Sequence, residues 1–225
     1  MNGTSLTYPS HYRGLPQILP LPFPLKPLHS ADTGIDRLPD GRTRYWIRHD
    51  DVRGVTPAML AWWFANLEGE ITFAGQRYNR YRFWHPRDHY HASYARRRPD
   101  GSIGPGAAIR LIEILGRTER FRVDTVTHIE RLDDGGYVHS PELHGHTGLV
   151  RMEYSFASTP SGTLYENSLT IGAAAPWYPL LRPFIDRFAF TPAQGLAWHR
   201  HNVEEVGMFE HFLPALYKQE TGRIA

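Results

Sequence analysis

Residues 198–214 read WHRHNVEEVGMFEHFLP, and this stretch decides the architecture. Spacings of three and four place Ala197, His201, Glu205, Met208, Phe212 and Leu216 on one helical stripe. Thr191-Pro192 supplies the start signal, a Thr cap with Pro at the first helical position. A helix from there to about Tyr217 would be roughly 40 Å long, enough to cross a whole sheet. Pro214 is expected to kink or end it.

Upstream the pattern changes. From about Ile71 to Ile171 the runs Ala108–Leu115, Arg120–Ile129, Gly148–Phe156 and Thr163–Ile171 read as strands. Turns at Arg117-Thr118, Asp133–Gly136 and Ser161-Gly162 separate them, which implies an antiparallel meander. Thr56-Pro57 opens an earlier helix carrying Met59, Leu60, Trp62, Trp63 and Phe64. Residues 1–50 are expected to be a Pro-rich arm. Pro9, Pro16, Pro20, Pro22, Pro24 and Pro27 favour polyproline II, and Leu19, Leu21, Phe23 and Leu25 let it lie against the domain. A PxxP-type ligand for a partner is the other reading of that arm. The expectation is one α+β domain over 1–225. Within it, residues 51–220 would form a helix-grip unit, a curved antiparallel sheet wrapped around the long C-terminal helix with a cavity between.

Composition narrows the function. Lys plus Arg is 25 and Asp plus Glu 23, a net charge of +2 that gives no general electrostatic case for a nucleic-acid partner. No apolar run approaches the roughly 18 residues of a membrane span, so no membrane partner is expected and a cytoplasmic protein is the starting assumption. Cysteine is absent, which excludes disulfides, thiolate metal sites and a Cys nucleophile. Any metal must therefore be held by nitrogen and oxygen, and 13 His offer the nitrogen. No Gly-x-Ser-x-Gly elbow is present, and Gly104-Pro-Gly106 lacks the third Gly of a dinucleotide fingerprint. Arg96-Arg97-Arg98 reads as a solvated turn.

His201 and Glu205 sit one turn apart on the stripe that should be buried. A buried carboxylate needs a cation or a donor. A divalent metal held by both, or a plain His–Glu hydrogen bond, would each meet that need. Tyr81 and Phe83 alternate as on a strand until Pro86 breaks the run, and His85, His89 and His91, at or just beyond the strand end, are candidate ligands or partners of Asp88 at the surface.

Three motifs then carry a resemblance. Tyr81-x-x-Trp84-x-Pro86-x-x-His89, Ile112-Glu113-x-x-Gly116, and His201-Asn-Val-Glu-Glu205-x-Gly207 with Phe212-Leu213-Pro214 resemble the 2,4-diacetylphloroglucinol hydrolase family, which includes phloretin hydrolase. The resemblance runs from about Val55 to Leu216. It implies a Bet v 1-like helix-grip fold and a zinc-dependent hydrolase that cuts a carbon–carbon bond between an acyl group and a phenolic ring. It places metal ligands at His89, Glu113, His201 and Glu205. Two His and two Glu would also suit Fe²⁺ or Mn²⁺.

The resemblance further implies tyrosines that hold phenolic oxygens, at Tyr81 and Tyr78, and a histidine ahead of a later strand, at His144 or His146. Ala92 departs from the family's polar residue three positions after the first ligand. The expected partner is a small aromatic, phenolic ketone, and a homo-oligomer stays open. The alternative is a helix-grip protein that binds or cyclises an aromatic polyketide without hydrolysis, or an iron-dependent oxygenase.

Overall fold

The computed structural model describes residues 13–143, 145–175, 178–185, 187 and 190–223. In chain order the elements are β1 (Ala31–Arg37), β2 (Thr43–His49), β3 (Val52–Arg53), α1 (Pro57–Phe64), β4 (Glu70–Phe73), β5 (Gln76–Asn79) and α2 (Arg80–Trp84). There follow β6 (His89–Arg96), β7 (Ala108–Ile114), β8 (Arg122–Asp133), β9 (Gly136–Pro141), β10 (Val150–Ser158), β11 (Gly162–Ile171), α3 (Tyr178–Phe184) and α4 (Pro192–Thr221). The large sheet runs β1-β2-β11-β10-β9-β8-β7-β6, with β3 also on β11, while β4 and β5 pair separately. From β6 to β11 it is an antiparallel meander, the arrangement that short turns between apolar runs predict.

Two expectations are corrected here. Residues 31–49, read as part of the arm, instead form the β1–β2 hairpin, and β2 joins the sheet edge at β11. The closely spaced prolines of the arm end at Pro27, Pro39 falls in the turn between the two strands, and Thr43–His49 alternates buried with more exposed positions, as a half-buried strand must. Tyr81 and Phe83 lie on the helical turn α2 rather than on a strand. The Asn79 side chain accepts the Arg82 N–H at 3.0 Å and caps that turn.

α4 carries the sheet's other wall. The Thr191 hydroxyl accepts the Gln194 N–H at its start, and Gly222, with φ 69°, closes its end. Pro214 does not end the helix, which runs on to Thr221. A proline inside a helix costs about 3 kcal/mol, which the burial of Phe212, Leu213, Leu216 and Tyr217 on either side offsets. All nine residues His201–Phe209 are buried, more than one face. The arm covers the side away from the sheet: Phe23 stacks on His211 at 4.6 Å and Lys26 pairs with Glu210 at 2.7 Å. Gly207 permits this approach, since a Cβ there would stand 2.6 Å from Lys26 Cγ. Among the described residues no helix is long and apolar enough to cross a membrane.

Candidate metal centre

Three elements deliver four side chains to one point inside the grip. Across the β6–β7 pair His89 lies directly opposite Glu113, so two of them are cross-strand neighbours. A bulge at Tyr90 follows immediately. Leu111 and Glu113 share the strand face that lines the interior cavity, as a period of two requires, and Leu115, just past the strand's end, lines it too. His201 and Glu205 approach from α4, which is locked in place by Trp84, whose indole N–H donates to the Glu205 carbonyl at 2.9 Å.

The His89 Nδ1–H donates to the Tyr81 carbonyl at 2.8 Å, and the His89 ring stacks on Tyr81 at 3.8 Å. This leaves His89 Nε2 facing Glu205 Oε2 at 3.2 Å and Glu113 Oε1 at 3.8 Å. His201 Nδ1 meets Asp88 Oδ2 at 3.2 Å, and its Nε2 faces Glu205 Oε2 at 3.6 Å and Glu113 Oε2 at 3.8 Å. The Tyr81 hydroxyl donates to Glu113 Oε1.

These residues fit a metal ion. His89 Nε2 is buried and has no hydrogen-bond partner. His89, Glu113 and His201 offer donor atoms within 4.8 Å of one another. Ligands about 2.1 Å from a tetrahedral ion stand about 3.4 Å apart, within the spread of the separations above. The group is therefore able to hold a divalent cation.

Burial and charge are in tension here. Burial raises Glu205 to about 8, and Glu113 and Asp88 add to the rise against the pull of His201. Burial alone would lower His201, but the Asp88 hydrogen bond and the Glu205 and Glu113 carboxylates push it up to about 10. Burial holds His89 well below the ordinary imidazole range, helped by His201 and His85. A cation between these carboxylates would relieve both the acids and the need for a charged imidazole.

The cavity beside the group has a volume of about 230 Å³. Tyr81, Glu113, His201 and Glu205 line it, with His139 and Tyr154 on the sheet opposite. His139 Nε2 lies 3.5 Å from the Tyr154 hydroxyl, and its Nδ1 contacts Thr127 Oγ1. Burial lowers His139 to about 3, so it is neutral, and raises the Tyr154 and Tyr81 phenols well above their usual value.

Other sequence candidates are not brought here. Tyr78 sits on β5 with its hydroxyl on Gln76 at 2.6 Å, outside the cavity lining. His146 is on an exposed turn, and His144 lies outside the described residues. His85 is fully buried but stacks on His201 at 4.5 Å, behind the centre. His139 and Tyr154 escaped the sequence reading, although Tyr137, His139 and Pro141 alternate on β9 and all three face the cavity. Period two in the run Tyr-Val-His-Ser-Pro was the available signal.

Residues 25–119 match the family model of the DAPG hydrolase PhiG domain. Over that span the chain resembles the DAPG hydrolase family. The match takes in His89 and Glu113 and ends before His201 and Glu205. Among curated proteins none matches the chain in sequence. Of solved structures, protein Ms6760 from Mycobacterium smegmatis is 11% identical with a TM-score of 0.50, covering 85% of this chain and 99% of that one. Ara h 8.0201 is 11% identical at a TM-score of 0.45, covering 78% and 99%. The fold is the Bet v 1-like helix grip, an α+β arrangement of antiparallel sheet and long C-terminal helix. Likeness at this identity speaks for fold and not for chemistry.

Proposed function

We propose that the protein is a zinc-dependent hydrolase that cleaves the carbon–carbon bond between an acyl group and a phenolic ring of the phloroglucinol type. The observation that carries this reading is the convergence of two imidazole Nε2 atoms and two carboxylates beside phenol and imidazole groups at one interior cavity. The match to a DAPG hydrolase domain supports the substrate class.

His89, Glu113, His201 and Glu205 would hold the ion. A divalent cation there would supply Lewis acidity toward the acyl carbonyl. The chain's own groups do the rest. Tyr81 and Tyr154 remain neutral phenols: Tyr154, oriented by the neutral His139, donates to one ring oxygen, and Tyr81, whose own proton goes to Glu113, accepts from a ring hydroxyl. With its oxygens so held, the ring passes a hydroxyl proton to the acyl-bearing carbon and adopts the keto form. Water adds its oxygen to the acyl carbon, the carbon–carbon bond breaks, and the bonding pair stays with the ring. One water is consumed, giving a carboxylic acid and the deacylated phenol.

Size narrows the substrate. A void of about 150 Å³ accepts benzene, so about 230 Å³ suits one ring with a short acyl group. The test is elemental analysis of the purified protein with an assay on 2,4-diacetylphloroglucinol. One zinc per chain with release of acetate is expected. Zinc without any hydrolysis of acylphloroglucinols would sink the reaction, and well-folded protein that takes up no metal would sink the centre.

A further inference from the structure

We infer that Asp88 is a positioning residue that sets His201 for metal binding and ties the three ligand-bearing elements together; this rests on the metal centre proposed above. Asp88 immediately precedes His89 and is buried. Its Oδ2 accepts from His201 Nδ1 at 3.2 Å and from the Gly116 N–H at 2.7 Å. Its carbonyl accepts the Ile114 N–H at 2.9 Å, next to Glu113. One residue thus touches the start of β6, the end of β7 and the middle of α4. Gly116 turns its N–H toward the carboxylate from a left-handed conformation, φ 58°, that a side chain would strain.

The chemistry follows from the tautomer. A carboxylate that accepts the Nδ1 proton leaves the lone pair on Nε2, aimed at Glu113 and Glu205, and increases its basicity. His85 backs the same ring, and its Nδ1 accepts the Asp88 N–H at 3.2 Å. His85, Asp88 and His201 also bring donor atoms within 4.8 Å, as a second ion would need. Asp88 Oδ2 is taken by His201 Nδ1 and the Gly116 N–H and His85 Nδ1 by the Asp88 N–H, while His85 Nε2 faces away to Glu204 Oε2 at 3.2 Å. The cluster is a support for one ion, not a second site.

The experiment compares wild type with Asp88→Asn, which keeps the shape and an oxygen for Gly116 but removes the carboxylate. Zinc affinity is read by competition with a chelator, together with the visible spectrum of the cobalt-loaded protein and the melting point of the metal-free form. We expect one ion per wild-type chain, zinc binding weakened about 10- to 100-fold in the variant, an altered cobalt spectrum and little change in metal-free melting. Unchanged zinc affinity and cobalt spectrum overturn the inference, as does a variant that melts earlier yet binds zinc as wild type does. Two ions per wild-type chain overturn it as well. If Asp88→Asn does not fold, long-range ¹H–¹⁵N spectra of zinc-loaded wild type decide. His201 protonated at Nδ1 and metal-bound at Nε2 supports the role, and metal at Nδ1 refutes it. Wild type that takes up no metal overturns this inference and the centre together. Zinc held without hydrolysis overturns only the proposed reaction.

Discussion

Two buried polar clusters hang from adjacent residues of α4, and they are built on opposite terms. Asn202 opens one: its carbonyl oxygen accepts from Asn167 at 2.7 Å, and Asn167 pairs with His49 at 3.1 Å. Every link there is a neutral hydrogen bond. His201 opens the other, where Asp88, Glu113 and Glu205 crowd two imidazoles at 3.2–3.8 Å and His89 Nε2 finds no hydrogen bond. Burial and polarity are common to both. Convergence of carboxylates on an imidazole nitrogen left without a hydrogen bond belongs to one alone, and that is what marks a place for a cation.

The contrast breaks most visibly at the ligands. Glu113→Ala and His201→Ala should each empty the centre and cut turnover by more than the about 100-fold assigned to outer partners; metal analysis beside kcat/KM measures it. Next comes Tyr154→Phe, which removes a phenol from the sheet side of the cavity and leaves the ligands intact. Its kcat on an acylphloroglucinol should fall about 100-fold while zinc content stays at the wild-type level. Loss of zinc in that variant would merge what the structure separates.

The neutral cluster should respond to acid instead. Burial lowers His49 to about 4, against the Asn167 hydrogen bond that favours its charged form. The unfolded chain, with an ordinary imidazole, binds its proton first as pH falls. This part of the stability is therefore lost between about pH 6.5 and 4, on the order of 3 kcal/mol in all. His49→Gln should flatten that portion of the denaturation profile without altering metal content. The smallest effect is expected at the arm. Phe23→Ala removes a half-buried ring from His211 and Phe73 and should cost about 1–2 kcal/mol in urea unfolding, again with zinc unchanged.

Legibility followed the physics of each element. α4 announced itself through its cap, its period and its His201–Glu205 spacing, because those signals are local. The strands β7, β8, β10 and β11 were readable for the same reason. The β1–β2 hairpin was hidden behind the prolines that precede it, and α2 behind an apparent alternation that the Asn79 cap overrides. Half of the site was harder still. That Asp88 serves His201, 113 residues away, is a tertiary fact with no local trace. His139 was passed over in favour of His144 and His146 because a short strand between turns looks like loop until its pairing partners Ile129 and Met152 are known.

The facing of His89 and Glu113 across a hairpin has a consequence for how this chain can vary. The connection 97–107 lies at the far end of the same two strands, so residues added or deleted there leave the spacing of the two ligands untouched. One residue inserted within β7 between Ala108 and Glu113 would instead turn the carboxylate to the opposite face of the sheet. Loop length and site geometry are thus inherited separately, and the loop is the part that evolution or an engineer can rewrite.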